Sequence, residues 1–372
     1  MEFLKAIESI RNPFFDWFFS LITHIGDETV FLAVAILIFW CVSKREGYYV
    51  LVTGFVGTII NGLLKLFFRV PRPWVKDPAF TPVESAIERA TGYSFPSGHT
   101  QNITGTFGAI AVFSKRWLAR GGCIAVILLV AFSRMYLGVH TPLDVLTSLG
   151  IGVALIFLLR PLFKNDERFD KCMPFVIVGV LLLTTAFMLY FPITRETVAH
   201  NAENLASGLE NAYTLAGCAI GLAIVYFVDA TYVKFDTHAT WYVQIIKFAV
   251  GLGLVLLIKE GLRDPLIYIC GGNVYIARMI RYLIVVVFAG VIWPIAFKYL
   301  NRIKCEKLDN FGNKVVSFFK KRDTDATDTQ NSDGECAVCY KNRPTLSRIS
   351  YLEDGSRVYT PKKKKKASRK KK

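Results

Sequence analysis

Long apolar segments alternate with short stretches of charged residues along most of this chain. Each segment approaches the roughly 20 residues that an α-helix needs to cross a bilayer. The pattern therefore predicts an all-α, polytopic transmembrane helix bundle of about nine spans. The predicted spans are residues 28–43, 48–68, 97–113, 119–138, 142–160, 174–192, 212–229, 243–259 and 277–298.

Composition strengthens this interpretation. The chain is 53% hydrophobic with a mean hydropathy of +0.38, and only 20% of its residues are charged. That is more apolar surface than a soluble core of this length requires, so we exclude a soluble globular domain.

Basic residues between the spans indicate the orientation of the bundle. They concentrate in alternate connections, which mark the cytoplasmic side under the positive-inside rule. These residues are Lys44, Arg45, Lys115, Arg116, Arg120, Arg160, Lys164, Arg168 and Lys171. The C-terminus is therefore expected in the cytoplasm. The N-terminus and the connections 69–96, 138–141, 193–211 and 260–276 are expected on the outer side.

The two ends of the chain differ from the spans. Residues 1–27 lack a basic start and a small-residue cleavage site, and their apolar periodicity favours helices lying in the outer interface, with a tenth, tilted span as the alternative. Residues 301–372 hold 20 Lys and Arg against 9 Asp and Glu and end in KKKKKASRKKK. We expect a partly disordered cytoplasmic tail that contacts anionic membrane lipids rather than nucleic acid.

The cysteines do not suggest a disulfide framework, because of the eight only Cys270 falls in a predicted outer connection. Cys336 and Cys339 form a C-x-x-C pair, but no second pair or nearby histidine completes a zinc site.

Three polar clusters interrupt the apolar pattern on the predicted outer side: KLFFRVPRP from Lys65, FPSGHT from Phe95 and SRMYLGVHTPLD from Ser133. Each has an ordinary structural explanation, such as a snorkelling cation or a helix N-cap. Capping does not explain an arginine beside Ser133, nor two histidines at matching helix entrances.

The three clusters resemble the tripartite signature of the type 2 phosphatidic acid phosphatase and vanadium haloperoxidase superfamily, K-x6-RP, PSGH and SR-x5-H-x3-D. Every fixed position is present: Lys65, Arg72, Pro73, Pro96, Ser97, Gly98, His99, Ser133, Arg134, His140 and Asp144. The resemblance covers about residues 28–192, which form the expected catalytic core. The later spans, in residues 193–300, have no counterpart in the family's usual six-span core, and their role stays open.

The residue types suit a phosphate site. Lys65, Arg72 and Arg134 supply positive charge, and helix N-termini expected at Ser97 and Thr141 add backbone donors. Ser97 and the Gly98 amide are expected to join this phosphate-binding group. Such charges stabilise the negative charge that spreads over a transferring phosphoryl group.

His140 and Asp144 are four residues apart, so on one helix face the carboxylate can accept a hydrogen bond from one ring nitrogen. The resemblance implies that His140 is the nucleophile, that Asp144 orients it and that His99 is the general acid. No cofactor and no metal are expected. Asp77, Glu84 and Glu88 are the acidic residues of the outer loop, but their spacing fits the polar face of a short helix.

A site at the mouths of membrane helices lies at headgroup depth, so we expect a lipid phosphate as the substrate. A polyprenyl diphosphate phosphatase and a lipid transporter or flippase with a retained phosphate site are the alternatives. The identity of the lipid, the preference for mono- or diphosphate and the oligomeric state are not determined by the sequence.

Overall fold

A computed structural model describes residues 1–87, 90–198, 202–306, 308, 310, 349–351 and 357–359. The described part of the first compact unit, residues 1–309, consists of helices joined by loops. Its helices are α1 (Glu2–Ser9), α2 (Pro13–Thr23), α3 (Glu28–Cys41), α4 (Lys44–Phe68), α5 (Pro73–Lys76), α6 (Glu84–Ile87), α7 (Gly98–Ile103), α8 (Ala109–Phe113), α9 (Trp117–Tyr136), α10 (Pro142–Leu159), α11 (Asp166–Val198), α12 (Ala202–Val228), α13 (Trp241–Gly261), α14 (Arg263–Ile269), α15 (Val274–Val287) and α16 (Trp293–Leu300). Short 3₁₀ turns cover His24–Gly26 and Arg160–Phe163, and π-helical turns cover Thr104–Gly108, Asp229–Val233 and Phe288–Ile292.

The second unit, residues 310–372, contains the described antiparallel strands β1 (Ile349–Tyr351) and β2 (Arg357–Tyr359), which pair Ile349 with Tyr359. Most of the predicted tail, including Cys336, Cys339 and the terminal lysines, lies outside the described residues. The expected disorder and the half zinc site therefore stay untested, as does membrane binding by this segment.

The helical, membrane-spanning character of the chain is confirmed. Seven helical segments of the described chain are long and apolar enough to cross a bilayer, and they coincide with seven of the nine predicted spans. The segments are Lys44–Lys76, Trp117–Tyr136, Pro142–Phe163, Asp166–Phe191, Glu203–Val233, Trp241–Gly261 and Val274–Leu300.

The two remaining predicted spans differ in the structure. The segment predicted at 28–43 is the 14-residue helix α3, which meets the preceding helical segment Pro13–Gly26 at a bend of 48°. If this bent pair is one span, the candidates number eight among the described residues. The segment predicted at 97–113 is helical but short, because Lys115 and Arg116 follow it before the next helix begins at Trp117.

Side-chain caps determine where several helices begin. Asn12 accepts a hydrogen bond from Phe15 N at the start of α2, and Ser43 accepts one from Glu46 N at the start of α4. Such caps satisfy backbone donors that have no intrahelical acceptor. The predicted starts of α7 and α10 use the same device and are described with the site.

Helix α4 lies at the centre of the N-terminal half of the bundle, where it packs against α3, α7, α10 and α11. In the later half α12 packs closely against α15, and Gly217 permits this approach. A Cβ atom at Gly217 would lie only 2.1 Å from the carbonyl oxygen of Met279. Small residues at such crossings let two helix backbones approach within van der Waals distance.

Candidate active site

The C-terminal ends of α4 and α9 and the N-terminal ends of α7 and α10 converge, because these helices pack against one another. All eight residues of the predicted site lie at these ends or in the loops that join them. Lys65 is in the last turn of α4, Arg72 precedes α5, Ser97 caps α7, Gly98 and His99 open α7, Arg134 is in the last turn of α9, His140 precedes α10 and Asp144 is in its first turn.

His140 is buried, and its two ring nitrogens face Arg72 and Asp144. Arg72 Nη1 donates to His140 Nε2 across 3.0 Å, whereas His140 Nδ1 lies 3.4 Å from Asp144 Oδ2 and forms no hydrogen bond within the described residues. An arginine has donors only, so this contact requires an unprotonated Nε2. The neutral ring must then carry its proton on Nδ1, the nitrogen that faces the carboxylate. This is the tautomer that a nucleophilic Nε2 needs.

Electrostatics favour the neutral ring as well. Burial lowers the pKa of His140 well below its usual value, and the positive charges of Arg72, Arg134 and Lys65 lower it further. The unprotonated imidazole is therefore the resting form at neutral pH, so its reactive lone pair is present before any ligand binds.

Asp144 combines a structural role with its position beside the histidine. Its Oδ2 accepts hydrogen bonds from Thr141 N at 2.8 Å and from Ser94 Oγ at 2.6 Å. Thr141 Oγ1 in turn accepts from Asp144 N, which completes a capping box at the start of α10. The capping explanation and the catalytic explanation of this carboxylate are thus compatible.

Hydrogen bonds also tie the two helix N-termini together. Ser97 N donates to the carbonyl oxygen of Asp144 at 3.2 Å, and Ser148 Oγ donates to the Ser97 carbonyl at 2.9 Å. The Ser97 side chain accepts from Thr100 N, which starts α7. The backbone donors that open α7, beginning at Gly98, are therefore fixed relative to α10.

Arg72 is extensively hydrogen bonded to the surrounding loops. Its Nε donates to Gly92 O at 3.0 Å, its Nη1 to Val139 O at 3.0 Å and its Nη2 to Thr91 O at 2.7 Å. These bonds join the loop before α7 to the loop before α10. Arg72 thus fixes the position of His140 as well as its tautomer.

Lys65 is hydrogen bonded to the loop before α7, because its ammonium group donates to the carbonyl oxygen of Tyr93. Within the described residues no hydrogen bond or ion pair joins Lys65 to another member of the predicted site. Its positive charge reaches the site electrostatically, through its effect on His140.

Arg134 differs from Arg72 in having donor capacity to spare. It is 1% exposed, its Nη1 donates to Thr23 Oγ1 at 2.6 Å, and its Nε has no hydrogen-bond partner among the described residues. Arg134 also lines a cavity of ≈ 510 Å³ together with Thr23, His24 and Leu137. A buried guanidinium with an unused donor beside a cavity is suited to bind an anion.

The structure adds a residue that the sequence reasoning missed. His99 Nε2 lies 2.9 Å from Asp27 Oδ1, and the other oxygen of Asp27 lies 3.1 Å from His24 Nδ1. Asp27 follows the 3₁₀ turn at the end of α2, in the segment expected only to lie in the membrane interface. The signal in the sequence is THIGD, where two ionisable residues follow the apolar stretch FFDWFFSLI.

The N-terminal helices are attached to the site by further polar contacts. Arg11 Nε donates to Tyr136 O at 3.0 Å, and Tyr136 Oη donates to Asp16 Oδ1 at 2.9 Å. Gly138, in the loop before His140, has φ +77° and a Cβ there would lie 2.7 Å from Arg11 Nη2 and 2.8 Å from Phe80 Cζ. Only glycine fits this position, both conformationally and sterically.

The described residues include no group of three or more His, Cys, Asp or Glu side chains that could hold a metal ion. Glu88 lies outside the described residues, and Asp77 pairs with Lys5 at 2.7 Å. The absence of a metal requirement therefore stays a prediction for experiment.

Comparisons with known proteins place these residues in a family. Residues 46–168 match the PAP2 superfamily, and residues 213–305 match a PAP2 superfamily phosphatase transmembrane extension. The last three spans, which have no counterpart in the usual six-span core, thus match a family segment of their own, and their role stays open.

Three individual relatives are named as phosphatases or diphosphatases. Phosphatidylglycerophosphatase B of Bacillus subtilis is 30% identical over 184 residues, covering 45% of this chain and 84% of that protein. Undecaprenyl-diphosphatase BcrC of the same organism is 34% identical over 164 residues, covering 42% and 80%. Human sphingosine-1-phosphate phosphatase 2 is 24% identical over 271 residues, covering 68% and 65%. No solved structure shows significant similarity to this chain.

Proposed function

This chain belongs to the PAP2 superfamily, and we propose that it is a membrane enzyme that hydrolyses the terminal phosphate of a lipid through a phosphohistidine at His140. The observation that carries the proposal is the pair of contacts on the His140 ring, Nε2 with Arg72 and Nδ1 with Asp144. These contacts support a neutral imidazole whose Nε2 lone pair is oriented for attack.

In the first step, Nε2 of His140 attacks the terminal phosphorus. The N–P bond forms as the P–O bond to the lipid breaks, and the departing alkoxide takes a proton from His99. The imidazole of His140 becomes positively charged, and Asp144 stabilises that charge through Nδ1–H. The hydrogen bond between Arg72 and Nε2 must be exchanged for one to the phosphate before attack, because a single lone pair cannot serve both.

In the second step, water attacks the phosphohistidine and gives its proton to the now neutral His99. The P–N bond breaks, inorganic phosphate leaves and His140 returns to its starting form. His99 is thus acid in one step and base in the other. Burial and the charge of Arg134 lower the pKa of His99, and the hydrogen bond to Asp27 opposes that shift, so we assign Asp27 the role of a positioning residue that favours protonated His99 in the first step.

The cations take the place that metal ions hold in other phosphoryl-transfer enzymes. Arg134, with its unused buried Nε, is proposed to bind the phosphoryl oxygens, assisted by the α7 N-terminus at Ser97 and Gly98 and by the charges of Lys65 and Arg72. Positive charges that are fixed in a partly dry site stabilise the transition state without reorganisation. We propose that turnover needs neither a metal nor a cofactor.

The site is proposed to face the outer side of the membrane. Helix α4 begins at Lys44, where basic residues cluster, and carries Lys65 near its opposite end. Near the start of α4, ion pairs join Lys44 to Asp229 at 2.7 Å and Arg160 to Glu46 at 2.6 Å. The positive-inside rule assigns Lys44 and Arg160 to the cytoplasmic side.

The names of the relatives supply three candidate substrates: phosphatidylglycerophosphate, undecaprenyl diphosphate and sphingosine-1-phosphate. One observation favours the sphingoid phosphate. The match to the human sphingosine-1-phosphate phosphatase covers 68% of this chain, against 45% and 42% for the two bacterial enzymes. Phosphate release from a panel of these three lipids would decide between them.

Rapid quench with ³²P-labelled lipid phosphate, followed by alkaline workup, tests the mechanism. A phosphohistidine survives alkali and an acyl phosphate does not. We expect alkali-stable label on the wild type and none on His140→Ala, which should also lack turnover. His238→Ala is the matched control, since this exposed histidine pairs only with Asp236 among the described residues. Label retained by a folded His140→Ala protein would contradict the proposal.

A further inference from the structure

A second charged cavity lies in the transmembrane extension, away from the residues described above. It occupies ≈ 350 Å³ between α12, α13 and α15, which is within the size range of small-ligand sites. Its charged lining residues are Glu210, Lys259, Glu260, Arg263, Arg278 and Arg281. None of them belongs to the proposed catalytic site.

Arg281 is the unusual member of this group. It is 8% exposed, yet its Nε has no hydrogen-bond partner and no carboxylate lies within ion-pair distance of it in the described part of the chain. Its Cζ lies 5.4 Å from the centre of the Tyr282 ring, which also lines the cavity. A buried, unpaired guanidinium is costly, and in a membrane protein such residues usually serve binding or transport.

The other charges leave a net positive field in this cavity. Arg278 pairs with Glu210, and Lys259 lies 3.2 Å from Glu260. Both acidic side chains are thereby matched. Arg263, which is exposed at the start of α14, adds a second cation with no ion-pair partner among the described residues.

An apolar cavity of ≈ 130 Å³ adjoins the charged one, because Lys259 and Tyr282 line both. Its walls come from α3, α4, α7, α12, α13 and α15. The apolar side chains in them include Phe31, Leu32, Phe55, Leu215, Leu256 and Val285, with Glu28 as the one carboxylate of its described lining. A charged compartment that continues into an apolar one matches the two parts of an amphiphile.

We propose that these joined cavities bind an anionic lipid, with its phosphate or carboxylate headgroup on Arg281 and Arg263 and part of its hydrocarbon chain against Phe31 and Leu256. Arginine suits this role, because its planar donors match oxyanions and its weak hydration eases burial. We expect the lipid to be bound here without being hydrolysed, because no histidine lines either cavity in the described chain.

The site has a direct structural connection to the catalytic loop. Ser207, one turn before Glu210 on α12, lies 3.4 Å from the hydroxyl of Thr91, whose carbonyl oxygen accepts a hydrogen bond from Arg72. The loop that carries Thr91 thus contacts both Arg72 and the helix that carries Glu210.

Photolabelling in detergent micelles tests the proposal on the full-length protein. The probe is dodecyl phosphonate with a diazirine at the chain end, which His140 cannot hydrolyse. We expect labelled peptides from residues 256–286 of the wild type and about tenfold less label there in Arg281→Gln. Arg281→Lys should retain part of the label, and Arg168→Gln, which alters an exposed arginine at the start of α11, should retain all of it.

Two further arms separate the possible ligands. Diazirine-dodecanol, which lacks the anion, should label these peptides weakly, and excess inorganic phosphate should compete poorly because it lacks the chain. Equal labelling by the alcohol, label unchanged by Arg281→Gln, or no label in residues 256–286 would each overturn the proposal. Complete competition by inorganic phosphate would replace the lipid with a free anion. The result does not depend on turnover, so a failed phosphatase assignment would leave it interpretable.

Discussion

The contact between Asp27 and His99 allows a quantitative prediction. Asp27 Oδ1 lies 2.9 Å from His99 Nε2, and the two side chains are 25% and 19% exposed. A hydrogen bond to a charged group in such a setting contributes roughly 1.5–3 kcal/mol. Asp27→Asn keeps the shape of the side chain and removes its charge. If the bond supports the protonated His99 in the transition state, kcat/KM for a lipid phosphate should fall by about 10- to 150-fold.

The choice of substrate separates this role from a merely structural one. An alkyl phosphate needs a proton on its departing oxygen, whereas a p-nitrophenyl ester does not. Asp27→Asn should therefore slow hydrolysis of the lipid and leave the p-nitrophenyl ester nearly unaffected. The double variant with His99→Ala should be no slower than His99→Ala alone, because the two residues act as one unit.

Asp16→Asn is the matched control. Asp16 is also a carboxylate of the N-terminal segment and accepts a hydrogen bond from Tyr136, but it has no contact with a catalytic histidine in the described chain. If both variants slow both substrates equally, Asp27 acts through folding and the positioning role is wrong. An unchanged lipid rate in Asp27→Asn would also refute it.

Four other outcomes are expected. His99→Ala should lower lipid turnover by ~10² to 10⁴. In steady-state assays the turnover rate of Asp144→Asn should lie between that of His99→Ala and that of the inactive His140→Ala. A wild-type rate in either variant would remove that residue from the mechanism. Chelators should leave phosphate release unchanged while orthovanadate inhibits it, and loss of activity with chelator would indicate a metal site instead. In intact cells an impermeant thiol reagent should label a single cysteine at Lys76 but not at Ser368, and equal labelling would contradict the orientation. Truncation after Lys321 should preserve turnover in detergent. It should weaken binding to anionic vesicles, since each basic residue near such a surface contributes about 1 kcal/mol to binding. A folded but inactive truncated enzyme would refute this.

The parts of the site that could be predicted from sequence are those set by local structure. Ser97 caps α7, Thr141 and Asp144 form the capping box of α10, and His140 lies one turn from its carboxylate. Each of these relations joins residues at most four positions apart, and helix geometry alone brings them together. The seven long spans were predictable for a similar reason, because bilayer thickness fixes the length of an apolar helix.

The contacts that were missed depend on packing between distant segments. Asp27 meets His99 across 72 positions, and Thr23 meets Arg134 across 111. Both require the bend between α2 and α3, which no periodicity in the N-terminal segment indicates. The bend lies just before the span predicted at 28–43, and an apolar pattern does not show where a helix changes direction.

The two arginines of the site have different hydrogen-bonding states, and this indicates a division of roles. Arg72 already donates to three loop carbonyls and to His140, so most of its five donors are engaged before a substrate arrives. Arg134 has one described partner, Thr23, and an unused Nε beside the cavity. Under the proposed mechanism, Arg72 maintains the tautomer and position of His140, whereas Arg134 is the cation available to the incoming phosphate. A phosphate bound at Arg134 could accept the hydrogen bond that Arg72 Nη1 donates to His140 Nε2. The Nε2 lone pair would then be released when the substrate binds. Substrate recognition would in this way be linked to the activation of His140.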